Sequence, residues 1–442
     1  MNYLKIAALF VVAFVSNLLA PALLEHFAGF GDPETAIANT LWCASLFLGF
    51  GWACSKVAEG TVFPSFTLQL LAGIVLHDAL APIASQPVLA VVVCTALAAI
   101  ILKGGGDELD RRDFVKIAFP TVMIAVAGYL VTFLVLFPLL LLLGLDGKTA
   151  ALLGAILGST DPAALIPTMK RIVFKDRFKR LADIAVAESA LNDAVGAIFT
   201  AAVAGMIVAG IAVDTLGSLV SGLFGVDNLL HLGGQFLFGI IAGIAGWGMM
   251  LAYERYQSGN AQRKRGEAPY DFAFVLAVPL VTYLLAQAIH GNGLLAAFIA
   301  GLLSSYHHSR GIFHITLRAT EIKIESMAKP IIFMMVGPFV ALGDLWQSAL
   351  PGFLVSLVFI LVARPVAVFA SMLPTSLGMK DKLFLAIVRE TGVIPVVLAV
   401  ITAAQFPELK QLLPLTAWVV VWTLTLLPAL TPWWAKKLAV SE

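Results

Sequence analysis

Charged side chains are scarce in this chain: they account for 12% of its 442 residues, about half the share of an ordinary soluble domain. With 60% of residues hydrophobic, that scarcity excludes a soluble globular fold. The charges present nearly cancel, 28 Lys and Arg against 27 Asp and Glu, so there is no basic footprint for nucleic acid. Cysteine is equally thin. Cys43, Cys54 and Cys94 each fall inside an apolar run, which leaves neither a disulfide framework nor a metal-ligand spacing. No nucleophile–base pairing stands out, so an enzyme is not expected, and nothing asks for an organic cofactor. Long polar segments are missing too, which points to one membrane domain without a soluble appendage.

What fills the chain instead is a series of about fourteen apolar stretches. They lie near 4–24, 36–55, 62–80, 85–103, 114–144, 148–170, 181–211, 229–254, 271–289, 292–306, 327–343, 350–373, 382–403 and 411–434. A helix needs about 20 apolar residues to cross the hydrocarbon core. The expected fold is therefore an all-α polytopic membrane protein of about 13–14 transmembrane helices. The run at 4–24 lacks a clear A-x-A site and reads as a retained first span. Basic loops at 170–180, 254–267 and 307–326 (with Arg310, Arg318 and Lys323) alternate with short links holding Asp32, Glu34, Asp146, Asp214, Asp227 and Asp344. The positive-inside rule then places both termini in the cytoplasm.

Two spans are interrupted. "AALLGAILGSTDPAALIPTMK" carries Pro162, which cannot donate to the carbonyl of Gly158, so the helix should open around Ser159–Asp161. "LFLAIVRETGVIPVVLAV" holds Gly392 and Pro395 near its middle, beside Arg389 and Glu390. These breaks fall in the fourth helix of each of two five-helix units, about 62–211 and 292–434. Linking spans at 229–289 lie between the units, and the 4–24 span is an N-terminal addition. An odd number of spans relates the two units, so they enter the membrane in opposite directions. Broken helices at matching places in inverted repeats point to a transporter's midplane site.

The costliest residues lie in "AVAESALNDAVGAIFTAAVAGMIVAG". A charge at the centre of a span costs on the order of 2.5–3.5 kcal/mol on insertion scales, and Glu188 and Asp193 both sit there. At 100° per residue Ser189 and Asp193 share one face, and Glu188 and Asn192 share the next. Arg364, the one charge inside its span, is the candidate partner of Glu188. Asp193 then becomes the carboxylate whose ionisation is used, holding a proton or a small cation but not both. An interhelical ion pair is its plainer reading. Asp161 and Arg389 offset opposite half-helix ends where the broken helices cross, and Asp161 reads equally as a structural charge or a cation ligand. Thr160 and Asn192 can bond the freed backbone or each other. The Gly239–Gly243 spacing reads as helix packing or a subunit contact.

"GSTDPAALIPTMK", followed some 30 residues on by "ESALNDAVGAIFT" and later by the Arg364–Pro365 pair, resembles the monovalent cation/proton antiporter superfamily. Within it the match is to the Na⁺/H⁺ exchanger branch with the NhaP-type antiporters. The resemblance implies a homodimer in which a core domain moves against a dimerisation domain in an elevator-like manner, with Asp193 binding cation or proton in turn. It implies Ser189 and Thr160 as ligands, Asn192 as the tie to the broken helix, and Glu188–Arg364 as a structural pair. Asn before Asp implies electroneutral exchange of one Na⁺, Li⁺ or K⁺ for one proton, serving pH homeostasis in a bacterial inner membrane. Two departures stand out: Lys103 in "ILKGGGDELD" replaces a family acid, and "RETG" replaces Gly-Leu-Arg-Gly, so that Glu390 reads either as a partner of Arg389 or as an additional ligand. K⁺/H⁺ exchange and a gated cation channel are the alternative readings.

Overall fold

Backbone groups in hydrocarbon have no water to bond, so apolar runs of this length coil into helices. The computed structural model describes residues 2–29, 32–61, 63–108, 111–160, 162–263, 272–307, 312–388 and 390–441, and no strand occurs among them. The first half holds α1 (Asn2–Ala28), α2 (Asp32–Ala58), α3 (Ser65–Val75), α4 (Ala81–Ala84) and α5 (Pro87–Asp107). There follow α6 (Arg111–Val122) and α7 (Tyr129–Leu142), then α8 (Gly147–Leu157), α9 (Pro162–Lys170), α10 (Lys179–Val208) and the short α11 (Leu216–Leu223). The second half holds α12 (Val226–Arg263), α13 (Phe272–Ala288), α14 (Gly293–His307), α15 (Ile312–Met334) and α16 (Leu342–Gln347). It ends with α17 (Ala349–Val358), α18 (Arg364–Ser371), α19 (Met379–Ile387), α20 (Val393–Gln405) and α21 (Leu412–Lys437).

Among the described residues eight helices are long and apolar enough to cross a membrane alone. Other crossings are assembled from shorter pieces, including α3 and α4, whose axes bend by 80° around His77. α10 is the central element: 72% of its apolar stretch is buried, against 17% for α1 at the periphery. The first discontinuous helix breaks between Leu157 and Pro162, the second between Ile387 and Val393. Pro162 and Pro395 both lie in the first turn of the helix that resumes, where a missing N–H removes no intrahelical bond. A π-helical stretch joins α6 to α7 at Met123–Gly128, and another joins α17 to α18 at Phe359–Ala363. The two units therefore repeat a π-helical segment followed by a broken helix.

Two loop expectations require correction. The segment placed in the 307–326 loop is helical from Ile312, and the span expected at 327–343 is α15, ending at Met334. Its charges lowered the hydropathy of the first half, yet several of them are paired on buried faces. Lys103 of α5 contacts Glu321 and donates to Asp107 Oδ2 at 2.5 Å, all three residues being buried. Lys329 donates to Glu325 at 2.7 Å. Lys103 thus fastens α5 to α15. The loop expected from 254 is likewise helical to Arg263, as a continuation of α12.

Glycine sets the closest approaches. A Cβ on Gly301 of α14 would overlap the carbonyl of Lys103, and one on Gly106 would run into the backbone of α14. Gly239 and Gly243 of α12 face Asn292, Ala296 and Ile299, so that spacing packs α12 on α14 within the chain. Gly301→Ala should force the α5 and α14 backbones apart and lower stability by about 1–3 kcal/mol. Thermal unfolding of the purified variant in detergent checks this; an unchanged midpoint would show that the crossing is not tight.

Candidate functional site

The site forms where the first broken helix meets α10. Past Leu157 the chain leaves the helix, and Thr160 turns its N–H to Asn192 Oδ1 at 3.1 Å. The Asn192 amide donates to Thr160 Oγ1 and to Glu188 Oε1, both at 2.8 Å. The hydroxyls of Thr160 and Ser189 lie 2.8 Å apart. Helical spacing explains the division: Glu188 and Asn192 are one turn apart on one face, while Ser189 precedes Asp193 by a turn on the next. Asp193 is 3% exposed, and Ser189, Asn192 and Thr160 are buried as well.

Arg364 closes the arrangement from α18. Its guanidinium donates to both oxygens of Glu188, at 3.1 and 3.2 Å, and to the carbonyl of Leu385 at 3.2 Å. Arg364 is 1% exposed and Glu188 3%, so the pair is a bidentate ion pair in a dry setting, where geometry decides whether desolvation is recovered. Leu385 belongs to the last turn of α19, which carries the negative end of that half-helix. A hydrogen-bonded chain therefore runs from Ser189 through Thr160, Asn192, Glu188 and Arg364 to the second broken helix.

The remaining expected residues divide into two groups. Asp161 and Arg389 lie outside the described residues. Glu390 is buried in the second break, where its Oε1 accepts from Thr168 of α9 at 3.1 Å, so the two broken helices touch. Thr391 in the same break donates its N–H to Thr423 of α21 at 3.3 Å. Sequence reasoning gave no role to Thr168, Thr423 or Tyr129, since lone hydroxyls in apolar runs carry no motif. Tyr129 is fully buried at the start of α7 and donates to the carbonyl of Ala155 at 2.5 Å.

A cavity of about 310 Å³ opens between α6, α9 and the first half of α10. Phe114 and Ile117 of α6, Met169 and Lys170 of α9, and Asp183 and Val186 of α10 wall it. Val186 lies two turns before Asp193 on the same face of α10. The cavity is flanked by the basic 170–180 segment.

The sodium/hydrogen exchanger transmembrane model matches residues 44–437. The chain belongs to the sodium/hydrogen exchanger family. As a member, with its many apolar helices, it is a multi-pass integral membrane protein. The K(+)/H(+) antiporter NhaP2 of Shewanella oneidensis is 29% identical over 310 residues, 68% of this chain and 49% of the relative. This exchanger-family chain spans about half the length of the curated K(+)/H(+) relatives it matches. The Na(+)/H(+) antiporter 1 of Methanocaldococcus jannaschii is 25% identical over 389 residues, 84% of each chain. The solved structure of the sodium proton antiporter MjNhaP1 at pH 8 shares the fold, with a TM-score of 0.73 at 21% identity over 91% of this chain and 99% of that one.

Removing one partner of a buried ion pair leaves the other charge uncompensated, a loss of about 3–5 kcal/mol. Glu188→Gln, which strands Arg364, should therefore lower the yield and melting temperature of purified protein far more than it changes cation affinity. A stable variant with only a shifted affinity would reverse the roles given to Glu188 and Asp193.

Proposed function

We propose that this protein is a secondary antiporter that exchanges a monovalent cation, Na⁺ or Li⁺, for a proton, with Asp193 binding the two in turn. The observation that carries the reading is the cluster around the first helix break. Thr160, Ser189 and Asn192 gather neutral oxygens within a turn of a buried carboxylate, at the inner end of the helix face that lines the cavity. Hard oxygen donors and one carboxylate suit a small dehydrated monovalent cation. The same carboxylate, taken out of water, readily accepts a proton, and the two occupancies exclude each other. No organic cofactor enters this cycle, and the cation is cargo.

Arg364 neutralises Glu188, and the residue beside Asp193 is the neutral amide of Asn192 rather than a second carboxylate. That accounting supports electroneutral exchange, one charge for one charge. K⁺/H⁺ exchange is the second reading, favoured by the names of the Shewanella and Alkalimonas relatives. The family fold supports a homodimer working by elevator-like movement of a core around α10 and the broken helices. The basic 170–180 segment supports cytoplasmic termini, with the cavity opening to the cytoplasm, and the bacterial relatives support an inner membrane. Residues 62–211 and 292–434 form the two repeats in this reading.

Proteoliposomes with an imposed pH gradient, given Na⁺, Li⁺ or K⁺ in turn, test both cation and mechanism. Asp193→Asn should abolish proton-coupled exchange while leaving the protein folded; undiminished exchange sinks the assignment. Exchange driven by a membrane potential alone, with the pH gradient held at zero, would contradict electroneutrality.

A further inference from the structure

We propose that Tyr129 is a positioning residue for the ion site: its hydroxyl fixes the end of α8 and thereby the place of Thr160 beside Ser189 and Asn192. The inference rests on the antiport reading and extends it to a residue that no motif marks.

The two repeats solve the same problem with different side chains. Ala155 and Leu385 are each the third residue from the end of the first half of a broken helix, α8 and α19. Carbonyls there lack the usual bond from four residues on, and Ala155 accepts only a long one from the Gly158 N–H, at 3.3 Å. Arg364 donates to Leu385 at 3.2 Å, and Tyr129 donates to Ala155 at 2.5 Å. Each donor is the first residue after a π-helical segment, and such segments are frequent at functional sites. Tyr129 is thus the first repeat's counterpart of Arg364, and it holds the half-helix that leads directly into Thr160.

Packing adds to the bond. A Cβ on Gly158 would collide with the Tyr129 ring, and one on Gly196 of α10 would lie 3.5 Å from it. The ring is wedged between the break and α10, the two elements whose spacing brings Thr160 to Asn192. Gly158 gives the ring its seat, and the ring also packs on Phe199 with centroids 5.3 Å apart. Losing the hydroxyl leaves the Ala155 carbonyl only its 3.3 Å bond from Gly158, while the wedge stays.

The test compares wild type, Tyr129→Phe and Thr132→Val in reconstituted vesicles, reading proton-coupled exchange against cation concentration. Thr132 is a fully buried hydroxyl on the same helix that bonds only back to Gly128, at 2.8 Å, and controls for loss of any buried hydrogen bond. Tyr129→Phe should raise the apparent KM for the cation about five-fold, the worth of one neutral hydrogen bond, with the maximal rate little changed. Thr132→Val should keep the wild-type KM. A wild-type KM in Tyr129→Phe, or an equal rise in Thr132→Val, overturns the proposal. Should Tyr129→Phe not fold, Gly196→Ala carries the test, because its Cβ would press on Ser159 at 3.0 Å and crowd the same wedge; an unchanged KM there is equally decisive against it. Failure of the antiport reading is seen separately, as absence of exchange in the wild type.

Discussion

A helix that stops inside a membrane leaves amides and carbonyls with no water to take them up, and each bare group costs several kcal/mol. Both breaks in this fold are built around that constraint, and they meet it in matched ways. The N–H of Thr160 goes to Asn192, and the N–H of Thr391 goes to Thr423, each partner lying 32 residues downstream on the long helix that follows. The carbonyl of Ala155 takes the Tyr129 hydroxyl, and that of Leu385 takes the Arg364 guanidinium. The site exists because these satisfactions place polar side chains where lipid-facing sequence would put none.

The repeats diverge at those same positions. Thr423 offers one hydroxyl and returns its proton to its own helix, to Val419 at 2.8 Å. Its role ends with the break. Asn192 offers an acceptor and two N–H donors, enough to hold Thr160 and still reach Glu188. Glu188 in turn holds Arg364, whose Nη2 also caps the second repeat's half-helix. One amide in place of one hydroxyl therefore couples the two breaks into a single network. An Asp at 192 could not donate to Glu188 without first taking a proton, so the network itself selects the neutral amide.

Much of this was legible in the sequence, and the boundary is physical. The all-helical fold, both breaks and the Glu188–Arg364 partnership follow from apolar length, Pro162 and the rarity of buried charge, all strong signals in hydrocarbon. The first half of α15 was not legible, because hydropathy counts Glu321 as polar whether or not a partner neutralises it. Pairing of Lys103 with Asp107 and Glu321 spans 218 residues in its longer bond, a separation that no local pattern encodes. Tyr129 escaped for a similar reason: a tyrosine in an apolar run is ordinary until the fold aims its hydroxyl at a carbonyl. The π-helical segments that aim Tyr129 and Arg364 have no composition of their own.

The three glycines 104–106 show how α5 can be anchored on some faces and smooth on another. Gly104 makes room for the Glu325 carboxylate, and Gly106 admits the backbone of α14. These faces, with the Lys103 ion cluster, tie α5 to α14 and α15. Gly105 instead looks at Ala190 of α10, 4.0 Å from where its own Cβ would stand. Ala190 lies between Ser189 and Asp193 in sequence, so α5 meets the site helix at the level of its chemistry through a hydrogen and a methyl group. Small apolar groups hold no directional bond. A displacement of α10 along α5 therefore breaks no hydrogen bond at that contact, while the charges that would resist sliding are spent on the opposite side of α5.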